Sequence, residues 1–300
     1  MNFIIPFLNI IIITISPLLL FKLIFKNIPF NTNNSITILI INIILSLILC
    51  YFFGFNMIFA TITIVSLNIL NYNNVKSANF NIKNFRPIAL FLLVLFLYYF
   101  IPTLPFLFIE EKASEVTQAL AAVIGNYILL IILILIYIKD IKPYIKNFVI
   151  NYKTYIDIGF HSWSIGLSIM FISNIIIGLL FKQTGANNEE IVQQMINITP
   201  FLSLIATSFQ APIIEEIVFR KTIKDMFDNK KLFILISGFI FGLLHVVFSF
   251  NNFIDFLYII PYGALGISFA YMYSKTNNLC VPILFHFIHN FALTIISIIL

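Results

Sequence analysis

Charged residues and cysteines are scarce in this chain of 300 residues: Asp, Glu, Lys and Arg together make up 10% of it, and there are two cysteines. Soluble domains carry about 25% charged residues. The low charge, together with 61% hydrophobic residues, excludes a soluble enzyme and a disordered chain. A secreted disulfide scaffold is excluded as well. Because Cys50 and Cys280 lie in or beside apolar runs without a CxxC spacing, we interpret them as small core residues.

The sequence also lacks targeting and nucleic-acid signals. The N-terminus has no basic n-region and no clear small-residue cleavage site, so we interpret it as a retained span rather than a removed signal peptide. The net charge of +5 is not gathered into a basic patch with interleaved aromatics. We therefore expect a lipid bilayer, and no nucleic acid, as the surroundings of the chain.

Long apolar runs dominate the sequence and indicate an all-α, polytopic membrane protein of about 8–10 transmembrane helices. An outer-membrane barrel would instead alternate apolar and polar residues along short strands. The predicted spans are 3–21, 36–70, 87–108, 119–138, 159–181, 199–217, 232–249, 254–273 and 280–299.

The basic residues predict the orientation of these spans. If 36–70 forms a hairpin of two short helices that turn near Gly54, fifteen of the seventeen basic residues fall on one side. If 36–70 is a single helix, the division is thirteen to four. The hairpin predicts ten spans with both termini outside, basic loops at 71–86 and 139–158 in the cytoplasm, and an acidic outer loop at 182–198.

Three polar clusters interrupt the apolar spans of the last third of the chain. In the first, Glu215 and Glu216 follow Ala-Pro, and Arg220 comes four residues after the second carboxylate, which places Glu216 and Arg220 on one helix face. In the second, His245 lies inside an apolar helix, after Gly238 and Gly242, a spacing that favours close helix packing. In the third, His286 and Asn290 share a face of the last span.

Ionisable residues inside membrane helices mark a functional site by default. This inventory suits two hydrolytic mechanisms. In one, a carboxylate and a histidine activate a water while His and Asn donors stabilise the oxyanion. In the other, one Glu and two His side chains bind zinc, which lowers the pKa of its water. The sequence contains neither HExxH nor GxSxG, so two common hydrolase motifs are absent.

The ordered motifs Glu215-Glu216-x-x-x-Arg220, Phe241-x-x-x-His245 and His286-x-x-x-Asn290 resemble those of the CAAX-protease and bacteriocin-processing (CPBP, or Abi) family of intramembrane endopeptidases. The resemblance covers roughly 185–295. It predicts a protease core at 159–300 and leaves 1–158 as an N-terminal transmembrane region of unassigned role.

The resemblance implies a role for each motif residue. Glu215 would be the general base that activates water, with His245 assisting, and His286 and Asn290 would stabilise the oxyanion. Glu216 and Arg220 would form a supporting ion pair. If the reaction depends on a metal, Glu215, His245 and His286 would be the ligands; the cofactor is either zinc or none.

The implied protein is an endopeptidase of a bacterial plasma membrane that acts on a membrane protein or peptide. Peptide maturation, bacteriocin self-immunity and processing of a membrane regulator are open as its biological role. The alternative is a non-catalytic scaffold or bacteriocin-immunity protein that retains the fold. A small-solute transporter ranks last, because the inverted repeats or paired broken helices of transporters are not evident.

The predicted spans place the carboxylates and His245 at different depths. At about 1.5 Å per residue, Glu215 would lie ~6 Å from the cytoplasmic boundary and His245 ~20 Å from it. The two residues can meet if Pro212 kinks or breaks the helix, or if the helix that carries Glu215 continues through Phe227. Residues 221–227 suit an amphipathic extension, and the site would then open towards the cytoplasmic leaflet.

Overall fold

The computed structural model describes residues 85–299, except 111, 184, 248, 250 and 251. The predicted spans 3–21 and 36–70, the loop at 71–86 apart from its last two residues, and Cys50 lie outside the described residues. Seven helices form the described part, with 3₁₀ segments at Ile101–Phe108 and Phe253–Tyr258. They are α1 (Phe85–Phe100), α2 (Glu115–Phe181), α3 (Asn187–Ile198), α4 (Pro200–Lys224), α5 (Lys230–Val247), α6 (Ile259–Thr276) and α7 (Cys280–Ile299).

Five helices, α2 and α4 to α7, are long and apolar enough to cross a membrane, α6 together with most of the 3₁₀ turn before it. The predicted polytopic helical membrane protein is confirmed. The predicted span 87–108 is helical only to Phe100, and Pro102 and Pro105 lie in the 3₁₀ segment that follows it. The division of the chain at residue 158 remains a prediction.

The predicted loop at 139–158 is wrong as a description of structure, because these residues are helical within α2. Asn151 is the one residue with non-helical backbone angles, at φ −110° and ψ 16°. Before it, Gln210 of α4 contacts the Val123 carbonyl; after it, Ser162 bonds to Ser268 of α6. The bend at Asn151 therefore separates two arms of α2, each long enough to cross a membrane, and these arms contain the predicted spans 119–138 and 159–181.

The turns that contain lysines lie at one end of the helices. The Lys221 ammonium lies 3.5 Å from the Asp140 carboxylate, and the hydroxyls of Tyr144 and Tyr273 lie 2.8 Å apart. Asn278, in the turn between α6 and α7, donates to the Tyr144 carbonyl at 2.8 Å. We call this end, where the bend of α2 and the α4–α5 and α6–α7 turns lie, the basic end.

The opposite end is tied together by one buried carboxylate. Asp255 accepts hydrogen bonds from Gln183 at 2.7 Å and from Asn187 at 2.9 Å. It also caps the 3₁₀ turn through the backbone N–H of Asn252. The predicted outer loop at 182–198 is likewise wrong in part, because α3 makes most of it helical.

Glycines bring α5 and α6 into close contact, as the Gly238–Gly242 spacing predicts. A Cβ atom on Gly242 would lie 2.7 Å from the Ile259 carbonyl oxygen and 2.8 Å from the Gly263 nitrogen. Both are backbone atoms, which cannot rotate away. The crossing holds His245, one turn after Gly242, against α6.

We expect Gly242→Ala to lower the free energy of unfolding by about 1–3 kcal/mol, because the added methyl forces the two backbones apart. The matched control is Gly263→Ala at the same crossing, where the nearest atom, the Gly238 carbonyl oxygen, lies 3.7 Å from the new Cβ. Thermal unfolding in detergent measures both. Equal midpoints for the two variants would contradict this packing.

Candidate active site

Two π-helical segments of α4 hold the glutamate pair. They are Ile205–Gln210 and Ile217–Lys221, and the α-helical turns of Ala211–Glu216 lie between them. A π segment disturbs the regular backbone ladder, and such segments are frequent at functional sites. Side chains from other helices bond to carbonyls in both: Asn290 donates to Thr207 at 2.8 Å, and Ser237 donates to Phe219 at 2.7 Å.

The expected extension of α4 is confirmed in part, because the helix continues to Lys224 rather than to Phe227. The predicted end of the span at 217 was too early. With the longer helix, Glu215 lies deep enough to meet α5. Its Oε2 atom is 3.9 Å from His245 Nε2, so the two residues meet and the difference in depth estimated from the predicted spans was wrong.

Glu216 is fully buried and bridges two helices. Its Oε2 atom lies 3.0 Å from Arg220 Nε, and its Oε1 atom lies 3.0 Å from His286 Nδ1. The predicted pairing with Arg220 is present. The contact with His286 adds a connection from α4 to α7 that the i,i+4 spacing of Glu216 and Arg220 did not indicate.

Arg220 is also fully buried, with an aromatic surround. Its Cζ atom lies 4.6 Å from the centroid of Phe241 and 5.8 Å from that of Phe269. None of its three guanidinium nitrogens makes a hydrogen bond among the residues that the structure describes, so the contact of Nε with Glu216 is an ion pair only. The guanidinium is therefore stabilised by the Glu216 carboxylate and by the ring faces, a cation–π contact strengthened by burial.

His245 has its orientation fixed from two sides. Its Nδ1 atom lies 2.8 Å from the Phe241 carbonyl oxygen, and since a carbonyl only accepts, Nδ1 carries the proton in this contact. The ring lies between Phe241, at 4.3 Å between centroids, and Tyr262, at 4.8 Å and 29°. The Nε2 atom is thereby directed towards Glu215.

His286 links the two glutamates. Its Nδ1 atom donates to Glu216, while its Nε2 atom lies 3.8 Å from Glu215 Oε2. The ring stacks on Phe269 at 4.8 Å between centroids and 21°. One carboxylate oxygen, Glu215 Oε2, is thus close to the Nε2 atoms of both histidines.

These two distances exceed hydrogen-bonding range, and a polar contact of this length is one that a water can bridge. Glu215 Oε2 is buried without a hydrogen-bond partner among the described side chains and backbone groups. The arrangement can therefore hold a water that contacts a carboxylate and two imidazoles at once.

Asn290 shares a helix face with His286, as its spacing predicts, and it also contacts α4. Its amide donates one hydrogen to the carbonyl of Thr207 in the first π segment of that helix. Thr207 in turn pairs its hydroxyl with that of Thr294 at 2.9 Å. Contacts shorter than 4 Å join the side chains of Glu215, Glu216, Arg220, His245 and His286. Asn290 is connected to α4 through its bond to the backbone at Thr207.

A metal site would be expected to use Glu215, His245 and His286. Within the described part of the chain, no group of three or more His, Cys, Asp or Glu side chains is arranged to hold a metal ion. The three side chains converge, but the 3.9 and 3.8 Å from Glu215 Oε2 to the two Nε2 atoms exceed the separation of about 3.3–3.6 Å between ligand atoms around a tetrahedral zinc with bonds of about 2.0–2.2 Å.

Three aromatic residues near the site gave no signal in the sequence. Tyr262 stacks on His245, and the phenols of Tyr98 and Tyr99 lie within electrostatic range of Glu215. Tyr98 also packs edge-on against Phe219 at 5.7 Å. Aromatic residues are frequent in this chain, so only the fold distinguishes these three from the other rings of the apolar helices.

The fold and this cluster define a polytopic helical membrane protein with a buried carboxylate–histidine centre. Residues 197–292 match the family described as type II CAAX prenyl endopeptidase Rce1-like. The resemblance to the CAAX protease family predicted from the three motifs is therefore confirmed, and it rests on this segment.

Individual relatives agree with the family match. The chain is 34% identical over 108 residues to a protein of Bacillus subtilis named "Putative membrane peptidase YdiL", covering 35% of this chain and 41% of that protein. It is 28% identical over 144 residues to the membrane-embedded CAAX protease MroQ of Staphylococcus aureus, covering 43% and 54%. The matches span about two fifths to half of these relatives. No solved structure matches the chain significantly.

Proposed function

We propose that the protein is an intramembrane endopeptidase that hydrolyses a peptide bond of a membrane-associated protein or peptide, with water as the nucleophile. The observation that carries this proposal is the position of Glu215 Oε2, 3.9 Å from His245 Nε2 and 3.8 Å from His286 Nε2. Similarity to CAAX proteases supports the same reaction class.

The two hydrogens of a water that bridges Glu215 Oε2 and the two Nε2 atoms limit the roles that its three neighbours can have. Water has two hydrogens, which it donates to Glu215 and to the lone pair of His245 Nε2. In the proposed mechanism the third neighbour, His286 Nε2, is assigned as the donor to the water oxygen, and with Nδ1 donating to Glu216 this makes His286 an imidazolium. Glu216 accepts the Nδ1 proton and balances this charge, and the cluster of two carboxylates, Arg220 and the His286 imidazolium is neutral, as burial requires.

The reaction follows from this arrangement. The water oxygen attacks the carbonyl carbon while its proton passes to Glu215, with His245 orienting the water. The carbonyl π electrons move to oxygen, and the oxyanion accepts hydrogen bonds from His286 Nε2 and from the second amide hydrogen of Asn290. Glu215 then returns the proton to the leaving amine as the C–N bond breaks.

The orientation proposed for the protein follows from its basic end. This end carries most lysines of the described residues, and basic loops face the cytoplasm. We place the basic end at the cytoplasmic face of a bacterial plasma membrane, and α4 carries Glu215 towards that end.

The proposal is tested by mapping new protein ends. Wild type, Glu215→Gln and the control Glu190→Gln, an exposed carboxylate on α3, are expressed at equal levels in one bacterial strain. Mass spectrometry should find ends that occur with wild type and Glu190→Gln and are lost with Glu215→Gln; a parallel incubation with a chelator tests metal dependence. Three identical maps would contradict hydrolysis and favour a scaffold or immunity protein.

Tyr262 should influence the rate through His245. An aromatic pair contributes about 0.5–1.5 kcal/mol, so Tyr262→Leu should slow cleavage about 2- to 12-fold, while Tyr262→Phe keeps the stack and most of the rate. Initial rates on a peptide identified by the end map measure the effect. If both variants slow cleavage equally, the stack is not what positions His245.

A further inference from the structure

The bend of α2 exposes apolar side chains at the basic end. Before Asn151, Ile145 and Val149 are 54% and 67% exposed and lie one helical turn apart. After it, Tyr152 and Ile156 are 47% and 43% exposed, again one turn apart. A spacing of four residues places each pair on one face, so each side of the bend presents an apolar stripe.

Exposed lysines accompany these stripes. Lys139, Lys142 and Lys146 come before the bend at intervals of about one turn, and Lys153 follows it. Of the two acidic residues within 139–157, Asp140 lies beside the ammonium of Lys221, at 3.5 Å, and Asp157 lies one turn beyond Lys153. The surface therefore keeps a positive excess next to its apolar stripes.

Contacts on the inner side fix the depth of the bend. Tyr155 donates to the Thr276 carbonyl, and Asn278 bonds to Tyr144, so the bend lies beside the turn where α6 ends. Phe148 lines an apolar cavity of about 300 Å³ together with Pro212 and Cys280. The inner side is thus anchored to the membrane helices, and the outer side lies at the level where the chain turns between two spans.

We propose that the bend of α2, residues 139–157, is a binding surface for anionic phospholipid headgroups. Apolar side chains flanked by lysines are the pattern of segments that lie in the membrane interface, where the apolar stripe enters the acyl boundary and the ammonium groups contact phosphates. Both arms of α2 cross the bilayer, so the lipid surface is adjacent to the bend. The bend carries more basic than acidic side chains. Its charge is therefore complementary to an anionic leaflet and not to a basic partner.

The test uses the full-length chain in vesicles. In a Trp163→Phe background, Val149→Trp gives a single fluorescent reporter in the bend, since the chain has one tryptophan. Brominated phosphatidylglycerol and brominated phosphatidylcholine are added at equal mole fraction to phosphatidylcholine vesicles. We expect stronger quenching by the anionic lipid, with a preference of about fivefold per contributing lysine at low ionic strength.

Charge variants decide the origin of the preference. Replacing Lys139, Lys142, Lys146 and Lys153 by Gln should equalise quenching by the two lipids, and replacing them by Arg should preserve the difference, which also shows that the fold tolerates changes there. Lys112→Gln with Lys182→Gln, exposed at the opposite end, is the matched control and should leave the preference unchanged. Equal quenching by the two lipids in the unsubstituted bend would overturn the proposal. No quenching by either lipid would also overturn it, because it would show that protein or water covers the bend.

Discussion

Glu215→Gln should lower the rate of peptide cleavage about 10²- to 10⁴-fold, the range that general acid–base catalysis contributes. The amide has nearly the shape of the carboxylate but cannot take the proton of the attacking water. His245→Ala should also slow cleavage, since it removes the imidazole at 3.9 Å from Glu215. Rates of end formation in reconstituted vesicles measure both variants.

The cleavage rate of the double variant tests whether Glu215 and His245 act on the same water. If Glu215 and His245 act on one water, the double variant should be about as slow as the slower single variant, because residues that act as a unit are not additive. Fully multiplicative losses would show that the two side chains work in separate steps. Cleavage by Glu215→Gln at the wild-type rate would remove Glu215 from the mechanism.

Arg220→Met should lower the free energy of unfolding by about 3–5 kcal/mol, the usual cost of breaking a buried ion pair by removing one partner. Arg220 and Glu216 both have 0% exposed side chains, so the carboxylate that remains has no access to water. Unfolding of the purified protein in mixed detergent micelles, followed by circular dichroism, measures the loss.

A second substitution separates the charge effect from lost packing. Glu216→Gln combined with Arg220→Met removes the uncompensated charge, so it should recover a substantial part of the stability lost in the single variant. Lys112→Met, an exposed cation at the opposite end, should leave the unfolding free energy nearly unchanged. A double variant no more stable than Arg220→Met would assign the loss to packing on Phe241 instead.

The core of the site could be predicted from the sequence because ionisable residues are so rare in the apolar helices. Glu216 and Arg220 pair as their i,i+4 spacing predicts, and Glu215, His245 and His286 converge as the ordered motifs imply. In a membrane interior, polar side chains must find one another, so few pairings compete.

Two features could not be predicted, for physical reasons. A π segment of five or six residues is too short to produce a recognisable change in the hydrophobic period, so neither π segment, nor the bond of Asn290 to the Thr207 carbonyl, has a signal in the sequence. The basic stretch 139–158 resembles a loop because its lysines interrupt the hydropathy. It is helical because its inner side chains, such as Phe148 and Tyr155, pack on the neighbouring core, although only its four lysines are strong helix formers.

Single-turnover cleavage in water enriched in ¹⁸O tests most directly whether Glu215 activates a water rather than attacking the peptide itself. With excess enzyme and a substrate from the end map, we expect one ¹⁸O atom in the new carboxyl terminus of the product and none in the enzyme peptide that contains Glu215. Label in the Glu215 side chain after one turnover would show a covalent intermediate on that carboxylate and contradict the proposed mechanism.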